Sequence, residues 1–235
     1  MTEDQETISV YNKNIEQYKK LVATTNLDNN LELFLKMLKS KAVVLDVGCG
    51  IGQVSSKLQE LGHVVYPVDA SLEMVRVART EFQVNASQRT FDQIDEVDFF
   101  EGIWANFSLL HTKKKYFVKN LEKLLMALKN NGVFFFSLKS GNGENRDSLG
   151  RYYSYYSEEE VQEILNKVGF VVTKQTNGED KGLTGAIEKW MGFFCINSTI
   201  VLLLAIITSL FLRPEKIICG IFEKFVALSI CNFPI

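Results

Sequence analysis

No charge of either sign dominates this 235-residue chain: 26 lysines and arginines stand against 28 aspartates and glutamates, a formal net charge of −2. Without a basic excess nothing holds a phosphate backbone, so no nucleic-acid partner is expected. Cysteine is also sparse. Cys49, Cys195, Cys219 and Cys231 form neither a Cys-x-x-Cys pair nor an extracellular disulfide framework, and no metal site is expected. Met1 to Thr7 are acidic and polar, which excludes a secretory signal in that stretch. These absences read as a reduced, cytoplasmic compartment. What is present is 46 % hydrophobic residues, enough for one α/β core plus a further segment.

The most informative stretch is 42–52, Ala-Val-Val-Leu-Asp-Val-Gly-Cys-Gly-Ile-Gly. Ala42 to Val47 reads as a fully buried strand. Gly48, Gly50 and Gly52 follow at alternate positions, and Val54, Leu58 and Leu61 then recur at helical spacing. Strand, glycine turn and helix make a nucleotide-type site: glycines let backbone approach a ligand, and the helix start offers free N–H groups and a positive dipole end. A dinucleotide fold wants a small residue where Gln53 stands, and a P-loop wants a lysine after Gly52 that is missing. Cys49 reads as a small residue that fits the loop rather than a reactive thiol.

The pattern Asp-x-Gly-x-Gly-x-Gly, with Asp46 at the strand end, resembles motif I of the class I S-adenosylmethionine-dependent methyltransferases. That resemblance implies a doubly wound α/β fold, Rossmann-like, with a mostly parallel seven-stranded sheet and an antiparallel C-terminal hairpin. It implies S-adenosylmethionine as cofactor, with Asp46 orienting its amino-acid end and Gly48, Cys49, Gly50 and Gly52 around it. It also casts 1–40 as a helical cap and 41–196 as the methyltransferase domain; beyond the resemblance, which runs from about Tyr11 to Ile196, residues 197–235 read from their composition as an apolar helical tail. Helices are predicted over Glu6–Ala23 and Leu27–Leu38, broken at Asn26 and Asp28. The first, containing Tyr11 and Tyr18, either folds over cofactor and substrate as such caps do or packs on the sheet edge.

Downstream, His63–Val68 reads as a second strand ending in Asp69-Ala70-Ser71. Asp69 stands 19 residues beyond Gly50, where a doubly wound fold places an acceptor for ribose hydroxyls. That position supports a ribose without choosing the cofactor. Ser71 can cap the next helix. By resemblance Ala70 and Met74 border the cofactor, although Met74 fits plain core equally. Ser87–Phe91 is a weak third strand. By resemblance Asp92 accepts from the adenine amino group and Phe91 packs on the ring, while Asp95, Glu96 and Asp98 nearby also permit a solvated acidic loop.

Gly102–Phe107 reads as a fourth strand whose carboxyl end faces the ligand crevice of an open parallel sheet. Asn106, Ser108 and His111 are the polar groups best placed there. His111 is either a general base or a loop-orienting side chain. A helix over Thr112–Lys129, stopped by Asn130-Asn131-Gly132, precedes a fifth strand, Val133–Leu138. Lys113, Lys114, Lys115 and Lys119 read as its solvated face. Lys139–Tyr156 is a long glycine- and tyrosine-rich connection. It resembles the substrate-bordering loop of tellurite-resistance-type methyltransferases, which makes Lys139, Glu144, Arg151 and Tyr152 candidates for the acceptor pocket.

Ser157 with Glu160 forms a capping box for a helix ending at Gly169. Phe170–Lys174 and Lys189–Ile196 follow without an intervening helix, which implies an antiparallel edge hairpin. Residues 196–212 contain no charge, and their branched apolar and Phe side chains are worth about −3 to −7 kcal/mol on an insertion scale. The tail is therefore read either as a membrane anchor through 196–235 or as a helical hairpin packed on protein. The expected activity is methyl transfer to a small-molecule acceptor by in-line displacement, with positioning as the main catalytic effect. A lipid or quinone methyltransferase, a nicotinamide oxidoreductase and a non-catalytic cofactor-binding module remain the alternatives.

Overall fold

The computed structural model describes residues 4–23 and 29–198. Helices α1 (Gln5–Lys13), α2 (Ile15–Ala23) and α3 (Asn29–Met37) precede the sheet. The single helix predicted over 6–23 is broken at Asn14, whose side-chain amide donates to Val10 O at 2.8 Å. An asparagine bonding back to a preceding carbonyl competes with the helical ladder and turns the chain. Leu27 and Asp28, at the predicted start of the third helix, lie outside the described residues, as does Asn26.

The chain then alternates strand and helix: β1 (Val43–Val47), α4 (Gln53–Glu60), β2 (Val64–Asp69), α5 (Leu72–Glu81), β3 (Ser87–Gln88), β4 (Phe100–Ala105), α6 (Lys114–Ala127) and β5 (Leu128–Lys139). A hairpin, β6 (Glu144–Arg146) and β7 (Tyr152–Ser154), is followed by α7 (Glu158–Val168), β8 (Phe170–Lys181) and β9 (Ile187–Asn197). Seven strands form one sheet in the order β3-β2-β1-β4-β5-β9-β8. The strands from β3 through β5 pair in parallel, whereas β9 runs antiparallel to both β5 and β8. The predicted sheet and terminal hairpin are both present, and the hairpin strands are longer than expected.

Alternation along β5 feeds both layers. Phe134 and Phe136 pack with Phe117, Leu121, Leu165 and Phe193 under α6 and α7. Phe135 joins Trp104, Phe194, Phe34 and Leu58 under α3 and α4, with the Trp104 and Phe135 rings stacked 4.3 Å apart.

Three boundaries differ from expectation. The weak third strand shrinks to Ser87–Gln88, because Phe91–Gln93 turns into a 3-10 helix. Residues 129–132 do not end α6. They bulge out of β5 between the pairings Phe100–Leu128 and Gly102–Val133, with Asn131 at φ 60°. The connection predicted as irregular holds the β6–β7 hairpin, with Ser140 bridged to Tyr156 at its base. Among the described residues no helix is long and apolar enough to cross a membrane. The predicted tail lies outside the described residues from 199 onward.

Candidate active site

The order of β2, β1 and β4 makes a topological switch beside β1, and a cavity of about 1200 Å³ opens beyond the carboxyl ends of these strands. Its floor is the glycine turn. Gly48 sits at φ 73°, and a Cβ there would lie 2.3 Å from Ser108 Cβ, so only glycine brings β1 this close to the end of β4. Gly52 serves packing instead. At φ 89° it starts α4, and a Cβ would lie 2.8 Å from Val84 Cγ2 and 3.0 Å from Ala78 Cβ. It is not among the residues that line the cavity. Gly50 does line it, beneath the Tyr18 hydroxyl.

The turn's own amides are already committed. Gly48 N and Cys49 N both donate to Val68 O, at 2.8 and 3.0 Å, and Gly50 N donates to Asp69 Oδ2 at 2.9 Å. The free N–H groups expected of a nucleotide turn are thus absent at these positions. Two carboxyls stand beside them, Asp46 buried and Asp69 half-buried. Asp46, 2 % exposed, accepts from Ser55 Oγ at 2.5 Å. Burial pushes its pKa up to about 7 against the lowering effect of Ser55, and Asp69 adds to the rise. Asp69 also accepts from Ser71 N at 2.8 Å, and burial raises its pKa as well. Ala70, Met74, Phe91 and Cys49 complete this end of the cavity. Asp92 stands outside the lining and accepts from Thr90 Oγ1 at 2.6 Å; Thr90 takes its place on the wall.

The other end is built from β4, β5, β7 and β9 under the cover of α1. Asn106 lines it and accepts from Ser137 Oγ at 2.6 Å, while Ser137 Oγ in turn accepts from Phe107 N. His111 is enclosed. Its Nδ1 lies 2.7 Å from Tyr152 O, which can only accept, so the proton sits on Nδ1 and Nε2 accepts from the Tyr11 hydroxyl at 2.8 Å. Burial drives its pKa down to about 3. Both ring nitrogens are spent inside the protein, as fits the loop-orienting reading. The Tyr11 hydroxyl also accepts from Arg151 Nη1 at 3.2 Å.

Arg151 lines the cavity as predicted, but the Tyr152 ring does not. Successive side chains on β7 point to opposite faces, so Tyr153 faces the cavity, while the Tyr152 ring lies between Lys113 and Arg146. Lys139 also lines it, bonded to Glu188 and with its Nζ 3.5 Å from the Tyr153 ring centroid. Glu144 belongs to the hairpin exterior, where it accepts from Lys114 N at 2.7 Å. Sequence reasoning missed Tyr153, Glu188 and Trp190. The last two lie on β9, and only the antiparallel register of β9 on β5, with Trp190 opposite Lys139, brings them to the crevice.

A family profile described as a methyltransferase domain matches residues 16–175. A malonyl-[acyl-carrier protein] O-methyltransferase of Buchnera aphidicola subsp. Baizongia pistaciae is 31 % identical over 98 residues, which cover 40 % of this chain and 38 % of that relative. Among solved structures, a Burkholderia thailandensis 1,6-didemethyltoxoflavin-N1-methyltransferase, with bound 1,6-didemethyltoxoflavin and S-adenosylhomocysteine, superposes with a TM-score of 0.67. The identity is 20 %, over 82 % of this chain and 88 % of that one. A TehB-like S-adenosylmethionine-dependent methyltransferase from Corynebacterium glutamicum gives 0.63 at 18 % identity, over 81 % of this chain and 100 % of that one. With its profile matched across most of its length and this sheet order, the chain belongs to the methyltransferase domain family and has the class I S-adenosylmethionine-dependent methyltransferase fold.

Proposed function

We propose that this chain transfers a methyl group from S-adenosylmethionine to a small-molecule acceptor by in-line displacement. The observation that carries the choice of cofactor is the glycine turn. A pyrophosphate needs free amides at the turn and helix start, whereas Gly48, Cys49 and Gly50 spend theirs on Val68 O and Asp69. What faces the cavity instead is a pair of carboxyls, Asp46 and Asp69, a set suited to a cationic amino acid and a ribose and unsuited to phosphates. In this reading Asp46 holds the amino group, Asp69 accepts from the ribose hydroxyls, and Met74 and Phe91 pack on the adenine with Thr90 at its edge.

When bound, the cofactor supplies an already activated methyl on a sulfonium. The protein's contribution is alignment and exclusion of water. Asn106, fixed by Ser137 at the end of the cavity beside β4, orients the acceptor. His111 and Tyr11 position the wall rather than take a proton, because the low basicity of His111 suits no base at neutral pH. Residues 1–40 act as the cap, 41–196 as the catalytic domain, and 197–235 as a membrane anchor. The anchor reading rests on the apolar sequence.

Calorimetric titration tests the function: S-adenosylmethionine and S-adenosylhomocysteine are expected to bind, and NAD(H) is not. Binding of NAD(H) in preference would replace this reading with an oxidoreductase.

A further inference from the structure

Two carboxyls and two cations stand at opposite ends of the cavity, whose lining also includes the charged residues Asp4, Asp180 and Lys181. At the glycine turn stand Asp46 and Asp69; at the far wall stand Lys139 and Arg151, 8 % and 3 % exposed. Each of these cations has one carboxylate partner, but the partners are placed differently. Glu188 shares the cavity wall with Lys139, whereas Asp147, the partner of Arg151, is not part of the lining. Asp147 is committed to its own segment: its Oδ1 accepts from Leu149 N and Arg151 N at 3.0 and 2.9 Å and its Oδ2 from Arg151 Nε at 2.8 Å. Both cations of the far wall are therefore ion-paired, Lys139 on the lining and Arg151 from behind it.

The paired cations still leave one buried donor over. Guanidinium and ammonium groups only donate. Arg151 uses Nε on Asp147 and Nη1 on the Tyr11 hydroxyl, while Nη2, though 2.6 Å from Asp147 Oδ2, is outside hydrogen-bond geometry and buried. Buried donors left without acceptors are costly. The Tyr153 ring lies between the two cations, 3.5 Å from Lys139 Nζ and 5.3 Å from the Arg151 guanidinium, and fixes both on one side of the cavity.

We infer that the acceptor is an organic acid whose carboxylate is held by Lys139 and Arg151 at the end of the cavity away from the glycine turn. The inference rests on the methyl-transfer reading and narrows it. A cationic donor is drawn to Asp46 and Asp69 at the glycine turn, and an anionic acceptor supplies the acceptor atom that Arg151 Nη2 lacks.

The test uses the full chain, methyl-labelled S-adenosylmethionine and a cell extract separated beforehand by ion exchange into anionic, neutral and cationic small-molecule pools. Label is expected in products of the anionic pool. Lys139→Met is expected to raise the KM for that pool at least tenfold with the S-adenosylmethionine Kd unchanged, and Lys139→Arg to recover most of the loss. Lys139→Met is the leading variant because Arg151→Gln removes an internal ion pair and risks the fold. Label confined to the neutral or cationic pool, label in no pool, or a KM unmoved by Lys139→Met would each overturn the inference while cofactor binding persists. Loss of cofactor binding by the unaltered chain would instead sink the methyl-transfer reading and this inference with it.

Discussion

Asp46 is placed to make ligand binding depend on pH. Its folded pKa, about 7, lies above the ordinary carboxyl value of roughly 3.9. Between those two values the folded state binds more protons than the unfolded one, so Asp46 makes the fold less stable as pH rises through that window. The ionised form is the one that attracts an ammonium. S-adenosylmethionine affinity is therefore expected to rise roughly tenfold from pH 6 to pH 8, and Asp46→Asn to flatten that profile; calorimetry at the two pH values checks both. The glycines separate backbone strain from crowding. Gly48→Ala meets Ser108 at 2.3 Å and is expected to cost about 2–4 kcal/mol and abolish cofactor binding, whereas Gly62→Ala, at φ 88° with nothing nearby, costs about 1–2 kcal/mol and leaves binding intact. Urea unfolding and calorimetry distinguish them. Tyr11→Phe leaves His111 Nε2 without its donor and is expected to cost about 1–3 kcal/mol by the same unfolding measurement. The position of Asp46 and Asp69 at the cavity was legible in the sequence because each stands at the carboxyl end of an apolar strand, and the carboxyl ends of parallel strands edge the crevice. Tyr153 was not, because a run of tyrosines does not say which of two adjacent side chains a strand turns inward.

Elements announced by their own caps were the most legible. Ser157 accepts from Glu160 N at 3.2 Å and Gly169 closes α7 at φ 107°, as predicted, while the Glu160 carboxylate, expected to complete a capping box, accepts from Lys114 Nζ at 2.8 Å. Ser157→Ala is expected to lower stability by about 1 kcal/mol in urea unfolding with kcat/KM unchanged, since α7 contributes nothing to the cavity lining. Elements decided by side-chain competition or by distant pairing were illegible. Asn14 breaks a segment whose apolar spacing continues through it. The β6–β7 hairpin is tied to α1 by contacts more than a hundred residues apart in sequence: Arg146 bonds Asp4 at 2.8 Å, and Tyr152 N donates to Thr7 Oγ1 at 2.8 Å. No local pattern announces such a clasp. It closes the cover over the cavity where Tyr11 reaches Arg151 and His111.

At the scale of the molecule, the resemblance carried by 42–52 supplied the mostly parallel seven-stranded sheet, and two terminal strands without a helix between them supplied its antiparallel hairpin. The extent of β8 and β9 was not, since both strands continue past their apolar core into charged residues that pair only with each other, as Glu179 with Lys189 and Asp180 with Glu188. The apolar tail invites a direct comparison: the full chain is expected to sediment with membranes and a chain ending at Asn197 to remain in the supernatant after fractionation. The reversed direction of β9 has a further result. It enters the sheet at the site, from the turn at 182–186, where Leu183 lines the cavity and its carbonyl accepts from Gln17 Nε2 at 3.1 Å. The strands that carry Asp46 and Asp69 are covalently remote from that turn. Rewriting 182–188 would therefore retune which molecule is modified without disturbing the groups assigned to the methyl donor, making this turn a natural graft point for altered selectivity.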